Sequence, residues 1–321
     1  MSSNSSDKHI MEVLSFAAVY GDEEALSVYE IKEQTLSTYL HAAKKRGLKI
    51  SGLDRSKVIR DILNTYDKAE LRAIALGGRV LPGMNKVPKI NFSGNSIKLG
   101  VLSDTHIGSK YFSEERLDAA YREFEREKVE IVVHSGDVTE GMSNRLGHIY
   151  ELSHLGYDQQ KTEAVKQIEK CPVPIYMIDG NHDRWFMKSN GALIVGDIAK
   201  AVEHATFLGH DEGDIPIGNT TIKLWHGEDG NSYAFSYRLQ KIVESFTGGE
   251  KPGVLIAGHT HKALYMFNRH IHVISAASIQ SQTPWMRSKR IAAHTGFWII
   301  EIFFNDTGVS RFKQELYPFY H

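Results

Sequence analysis

Two periods of apolar spacing divide the chain. From Lys8, Ile10, Val13, Leu14, Ala17 and Ala18 recur three and four residues apart, predicting a helix that Gly21 stops. A short helix is expected over Glu23–Tyr29. A third runs over Gln34–Leu48, with Leu36, Tyr39, Leu40 and Ala43 on one face. Another is expected from about Ser56 to Ala75, closed by Gly77-Gly78. The polar residues 1–7 read as disordered. Residues 77–95 carry no period and are broken by Pro82 and Pro88, so they read as a linker. Beyond them the pattern changes to short runs of Val, Ile and Leu bounded by glycine, the signature of buried strands. Amphipathic stretches at Glu114–Lys128, Tyr157–Lys170, Leu193–His204 and Asn231–Phe246 fall between them and predict helices. Residues 1–76 therefore read as a small all-helical domain and 96–321 as an α/β domain.

Each apolar run ends abruptly in groups that bind protons or metals. The runs lead into Asp104-Thr-His106, Gly136-Asp137, Gly180-Asn181-His182-Asp183, His226-Gly227 and Gly258-His259-Thr-His261. One such end is an ordinary turn; five in one chain bring Asp, His and Asn to one sheet edge. Asp104, His106, Asp137, Asn181, His226, His259 and His261 are more donors than one ion uses. Carboxylate, imidazole and amide oxygen without thiolate suit Mn, Fe or Zn. Seven donors with one carboxylate shared divide into two sites about 3.5–4 Å apart, the spacing used for in-line displacement at phosphorus. His182 is then left over as a proton donor to the leaving oxygen.

These motifs together resemble the calcineurin-like metallophosphoesterase superfamily over about residues 97 to 303. The resemblance implies a four-layer α/β/β/α sandwich with a two-metal site at the carboxyl ends of its strands. It implies that Asp104, His106 and His261 hold one ion, that Asn181, His226 and His259 hold the other, and that Asp137 bridges them. His182 would be the catalytic acid, with Asp183 also a catalytic candidate. Many members continue Gly-Asp with two residues and another Asp, whereas this chain has Gly136-Asp137-Val-Thr-Glu140. Whether Glu140 or Asp183 orients His182 is thereby left open. Ile271–Ser275 and Phe297–Phe303 are expected as strands of the second sheet.

Composition narrows the setting. The 321 residues carry a formal net charge of −1, so contact with a polyanion must come from a local patch. Cys171 is the single cysteine, which excludes an intramolecular disulfide and a thiolate zinc finger and fits a reducing compartment. No apolar run reaches the roughly 18–20 residues that span a bilayer. The polar start lacks the apolar core of a secretory signal. The expected location is the cytoplasm, without membrane contact. The short N-terminal helices, followed by Lys44-Lys45-Arg46, resemble a helix-turn-helix nucleic-acid module. A docking or oligomerisation role is the alternative.

Three segments are placed to shape a substrate pocket. Glu140–His154 follows the shared carboxylate and offers Arg145 and His148 as phosphate contacts; the alternative is a solvated loop. In Arg184-Trp185-Phe186 the aromatics serve either core packing or base stacking. The basic, aromatic loop Gln280–Arg290, with Trp285 and Arg287, is the best segment for gripping a polynucleotide, against a charged surface turn. The expected activity is two-metal phosphodiester hydrolysis of nucleic acid, with Mn foremost, by attack of a metal-bridging hydroxide and protonation by His182. A phosphomonoesterase acting on phosphoprotein or a small molecule is the alternative, and a binding module without turnover is the reading outside enzymology.

Overall fold

The computed structural model describes residues 3–20, 22–48, 89–227, 234–247 and 251–320. Contacts between Cα atoms divide the chain into two compact units, Met1–Gly77 and Gly78–His321.

The first unit contains α1 (Ser3–Tyr20), α2 (Asp22–Val28) and α3 (Glu33–Arg46). Ile10, Val13 and Leu14 of α1 are buried against Leu36 and Ala43 of α3, which is the spacing expected from the sequence. Gly47 ends α3 at φ 64°, and Leu48 N donates to the Ala43 carbonyl at 3.0 Å. Residues 3–7, expected to be disordered, belong to α1. Asp7 there pairs with Arg46 at 2.5 Å, an interaction between positions 39 residues apart that local polarity does not signal. The helix expected over 56–75 and most of the linker lie outside the described residues.

The second unit is a sandwich of two sheets. One has the order β11-β10-β1-β2-β3-β4 and the other β5-β6-β7-β9-β8. In the first, β1 (Ser96–Leu102), β2 (Ile131–Ser135), β3 (Ile175–Asp179) and β4 (Ala205–His210) run parallel. Then β10 (Gly296–Asn305) and β11 (Gly308–Pro318) extend it antiparallel beyond β1. In the second, β6 (Thr220–Trp225), β7 (Val254–Ala257) and β9 (Ile271–Ser275) are parallel. The edges β5 (Glu212–Ile217) and β8 (Leu264–Asn268) are antiparallel to them. Residue 90, within the expected linker, bridges Ile217 of β5.

Period-two alternation sorts side chains into three apolar layers. Leu99 and Val101 of β1, Ile131 and Val133 of β2, and Val254 and Ile256 of β7 fill the space between the sheets. Leu102 and Val132 point the other way, into a core with α4 (Glu114–Arg126), α5 (Gly156–Glu169), α6 (Arg184–Asn190) and α7 (Ile194–Ala201). Leu255, Ala257, Ile271 and Val273 pack on Leu239 and Val243 of α8 (Tyr237–Ser245). The layers are thus α/β/β/α. Both faces of the central strands are covered, which is why their sequence is continuously apolar.

One strand is corrected. Ile271–Ser275 lies in the second sheet as expected, but Phe297–Phe303 is in the first, where β10 pairs antiparallel with β1 from Ser96↔Phe303 to Val101↔Trp298. Its apolar run fits either sheet, and a partner about 200 residues away cannot be read from local spacing. The expected helix over Leu193–His204 ends at Ala201, because Ala205 begins β4. That over Asn231–Phe246 starts at Tyr237 within the described residues. No described helix is long and apolar enough to cross a membrane.

Candidate metal centre

β1, β2 and β3 are parallel neighbours in one sheet, and β6 and β7 in the other. Their carboxyl ends release Asp104 and His106, Asp137, Asn181 to Asp183, His226, and His259 with His261. The turns are tight. Of the eleven described non-glycine residues with positive φ, five are Asp104, His106, Asp137, His259 and His261, at 50–72°. Left-handed backbone costs on the order of 1–3 kcal/mol for each such residue, so strain is concentrated where the donors are. The first two turns are zipped by Asp104 N to Gly136 O and His106 N to Asp137 O, both 3.0 Å. At Gly136 (φ 98°) a Cβ would collide with His226 Nδ1, so only glycine permits the approach.

The donors converge in two groups. Asp104, His106 and His261 place one ligand atom each within 4.8 Å of one another, as do Asp137, His226 and His259. In the first, His261 Nε2 lies 3.2 Å from Asp104 Oδ1 and 3.1 Å from His106 Nε2. In the second, His226 Nε2 lies 3.1 Å from both Asp137 Oδ2 and Asn181 Oδ1, and His259 Nδ1 lies 2.8 Å from Asn181 Oδ1. Asp137 Oδ2 is also 3.8 Å from His106 Nε2, so this carboxylate stands between the groups. His226 donates its Nδ1–H to the Ser135 carbonyl at 2.7 Å, which turns the Nε2 lone pair toward the centre.

Charge and burial together test whether the pocket suits cations. Asp104, Asp137 and Glu140 are buried, and among the described residues their ion-pair partners are imidazoles. Burial opposes the charged form of Asp104, yet His261 and His226 hold it well below the usual carboxylate range. Burial lowers and the Asp137 and Asp104 charges raise His226, which ends at about 10; the same contest, led by Glu140, puts His106 at about 9. His259 is driven down to about 4 by burial and by His226. Three buried carboxylates whose compensation is protons on ligand-type nitrogens form a donor set that divalent cations fit.

His182 sits at the rim of this pocket. Its Nδ1 donates to the Glu140 main-chain carbonyl at 2.9 Å, and its main-chain N–H donates to Asp137 Oδ1 at 2.9 Å. Its ring tilts over Trp185 with centroids 4.0 Å apart. Burial pushes its pKa down. Of the two candidates, Glu140 meets His182 Nδ1, through its main-chain carbonyl and with its carboxylate 3.7 Å away. Asp183 accepts from Val138 N, Thr139 N, Thr139 Oγ1 and Gly180 N at 2.7–3.0 Å, tying the third turn to the second. Glu140 takes His148 Nε2 at 2.9 Å and Gln280 Nε2 at 2.8 Å, and lies 3.1 Å from His106 Nδ1.

The other singled-out residues are placed as follows. His148 is buried with both ring nitrogens engaged, by Glu140 and by Ser143. Arg145 pairs with Glu151 at 2.5 Å, and its guanidinium lies 5.6 Å from the Trp285 ring centroid. Arg287 is exposed on α9 (Pro284–Ser288). Phe186 is core, whereas Trp185 is the platform under His182. Sequence reasoning missed Gln280 as the buried partner of Glu140; its position inside a loop read as a surface grip hid it. It also missed Ser135, whose contribution is a carbonyl that no side-chain pattern reveals.

Residues 97–287 match the family model of the calcineurin-like phosphoesterase superfamily domain. The chain belongs to that superfamily. Among curated proteins it is similar to the DNA polymerase II small subunit of Methanothermobacter thermautotrophicus, 23% identical over 287 residues, covering 75% of this chain and 59% of that protein. It is also similar to the protein of the same description from Archaeoglobus fulgidus, 23% identical over 252 residues, covering 62% and 51%. The chain thus spans only about half to three-fifths of the length of these relatives. Among solved structures, one described as a novel archaeal phosphodiesterase aligns at a TM-score of 0.42 and 17% identity over 69% of this chain and all of that one. Chaetomium thermophilum Vps29 aligns at 0.38 and 9% identity over 70% of this chain and 96% of its own.

Proposed function

We propose that this chain is a two-metal phosphodiesterase acting on nucleic acid. The observation that carries the proposal is the convergence of six donors in two clusters at the strand ends, with Asn181 against His226 and His259 and with His182 beside His106 and Glu140. Asp104, His106 and His261 would hold one divalent ion, Asn181, His226 and His259 the other, with Asp137 shared. Such ions, Mn foremost in this proposal, supply neutralisation of phosphoryl charge and a water of lowered pKa. Around them the protein's own groups act as positioning and proton-handling devices. Glu140 and Ser135 fix which nitrogen His106 and His226 present. With Nδ1–H held by the Glu140 carbonyl, His182 in its imidazolium form would give its Nε2 proton to the departing oxygen and be left as the neutral Nδ1–H tautomer.

The nucleic-acid part of the proposal draws support from the relatives' description as DNA polymerase small subunits and from two exposed basic segments, Lys44-Lys45 at the end of α3 and Arg287–Arg290. The word subunit also motivates a protein partner for this chain. Cytoplasmic placement belongs to the same proposal. The alternative, a phosphomonoesterase, uses the same donors. Rates with Mn²⁺ on bis-p-nitrophenyl phosphate, p-nitrophenyl phosphate and single- and double-stranded DNA side by side separate the two. The diester and DNA are expected to be turned over faster than the monoester. Turnover of the monoester alone would replace this reading with the alternative.

A further inference from the structure

The rim next to His182 carries apolar side chains that the fold does not use. Leu146 is 99% exposed, Tyr150 79%, Ile149 51% and Trp285 42%. Apolar surface concentrated in this way on a soluble domain marks a contact site. Their backbone is firmly held. Lys110 Nζ donates to the Tyr150 carbonyl at 2.7 Å, Lys110 N donates to the Glu151 carbonyl at 2.8 Å, and His148 is bonded to Glu140 at 2.9 Å. The segment is therefore a fixed ledge presenting side chains outward. Its place relative to the chemistry is also fixed. The His182 ring lies on Trp185, and the Trp185 ring meets that of His148 at 5.2 Å. His148 begins a 3-10 turn, His148–Glu151, that carries Tyr150, and Arg145 of the same loop covers Trp285.

We propose that Leu146, Tyr150 and Trp285 form a base-stacking ledge on the general-acid side of the centre, which grips unpaired nucleotides of a single-stranded polynucleotide on its leaving side. The proposal rests on the phosphodiesterase reading above. Flat aromatic faces beside a guanidinium suit bases, and each stacked base contributes about 1–3 kcal/mol whatever its identity. The exposed Arg287, Lys289 and Arg290 next to Trp285 give the ledge the charge that a phosphate backbone requires. That charge favours nucleic acid over an apolar peptide. Single strands are favoured over duplex because base faces in a duplex are already stacked on one another, leaving Tyr150 and Trp285 nothing to meet. Since His182 is the group that protonates the leaving oxygen, the nucleotide on this side is the one that departs.

The full-length protein in EDTA, titrated with twelve-residue oligo(dT) or oligo(U) and with a matched duplex, gives a readout that does not depend on turnover. Single strands are expected to quench tryptophan emission, and Trp285→Phe to remove most of that quench. Tyr150→Ala should weaken binding about tenfold, and Tyr150→Phe should restore it. Duplex should bind more weakly than single strand. Equal affinity for duplex, or oligonucleotide binding unaltered in Tyr150→Ala and Leu146→Ser, would overturn the ledge and mark the patch as a protein contact. With Mn²⁺, Tyr150→Ala should lose more rate on thymidylyl-thymidine than on thymidine 5′-(p-nitrophenyl phosphate), whose single nucleoside stays on the other side. Equal losses would overturn the leaving-side assignment. Failure of the wild type to hydrolyse bis-p-nitrophenyl phosphate would instead defeat the phosphodiesterase reading while the binding experiment still stood.

Discussion

His182 Nδ1 donates to the main-chain carbonyl of Glu140 at 2.9 Å, while the Glu140 carboxylate lies 3.1 Å from His106 Nδ1. One residue thus fixes the tautomer of the proposed general acid through its backbone and the aim of a proposed metal ligand through its side chain. The two functions are separable by substitution.

His182→Ala is expected to retain metal and lose on the order of 10²–10⁴ in rate on a poor leaving group. The loss should shrink on a nitrophenyl ester, whose phenolate departs without a proton. Glu140→Gln keeps the carbonyl but removes the charge beside His106, so it should lower metal affinity more than it alters leaving-group dependence. Leaving-group plots and metal content for both variants check this. An equal loss across leaving groups for His182→Ala would assign His182 to substrate positioning.

Much of this site was legible because the donors follow buried strands within a few residues, and Asp137, Asn181, His226 and His259 each neighbour a glycine, so their order in the chain matches their order in space. Gly136-Asp137 and Gly258-His259 are the clearest cases. What stayed hidden depended on non-local pairing or on main-chain atoms. β10 reads as a strand, yet nothing local says that it pairs with β1. β11 is mostly exposed along its eleven residues, so it lacks the apolar run that marks its neighbours. β5 carries Pro216 and two acids, a pattern that passes for a loop. The hold of Ser135 on His226 and of Glu140 on His182 comes from carbonyls, which every residue has. In the first unit Leu36, Tyr39 and Ala43 of α3 pack as their spacing predicts, whereas Leu40, expected on the same face, is exposed, and the tie from Arg46 to Asp7 was not legible.

Cys171 gives a test of the α/β core. Its thiol is buried against the layer formed by α4 and α5, and burial pushes its pKa from 9.0 up to about 12. The folded pKa lies above the unfolded one, so the neutral thiol's contribution to stability is complete below pH 9 and is lost as pH rises toward about 12. Alkylation by iodoacetamide at pH 8 should be negligible in native protein and rapid in urea. Comparable rates in the two would contradict the packing.

At the end of α3, Lys44 and Lys45 are exposed, whereas Arg46 is paired with Asp7. Should this end contact a phosphate backbone, Lys44→Ala with Lys45→Ala will lower affinity for long DNA and reduce the slope of log affinity against log salt by at most about two units. Retardation assays across a salt series measure it. An unaltered slope, with a changed oligomeric mass, would assign the first unit to assembly.

The central claim is that one carboxylate, Asp137, serves two ions at once. Its Oδ2 lies 3.1 Å from His226 Nε2 and 3.8 Å from His106 Nε2, and replacing it leaves both groups short of negative charge. The most direct measurement is metal retained per chain by elemental analysis after dialysis, for wild type against Asp137→Ala. The account predicts about two ions per chain in the wild type, two being the number that a shared-carboxylate site holds, and depletion at both sites in the variant. A wild type that holds a single ion, or an Asp137→Ala protein with full metal content and normal activity, would contradict it.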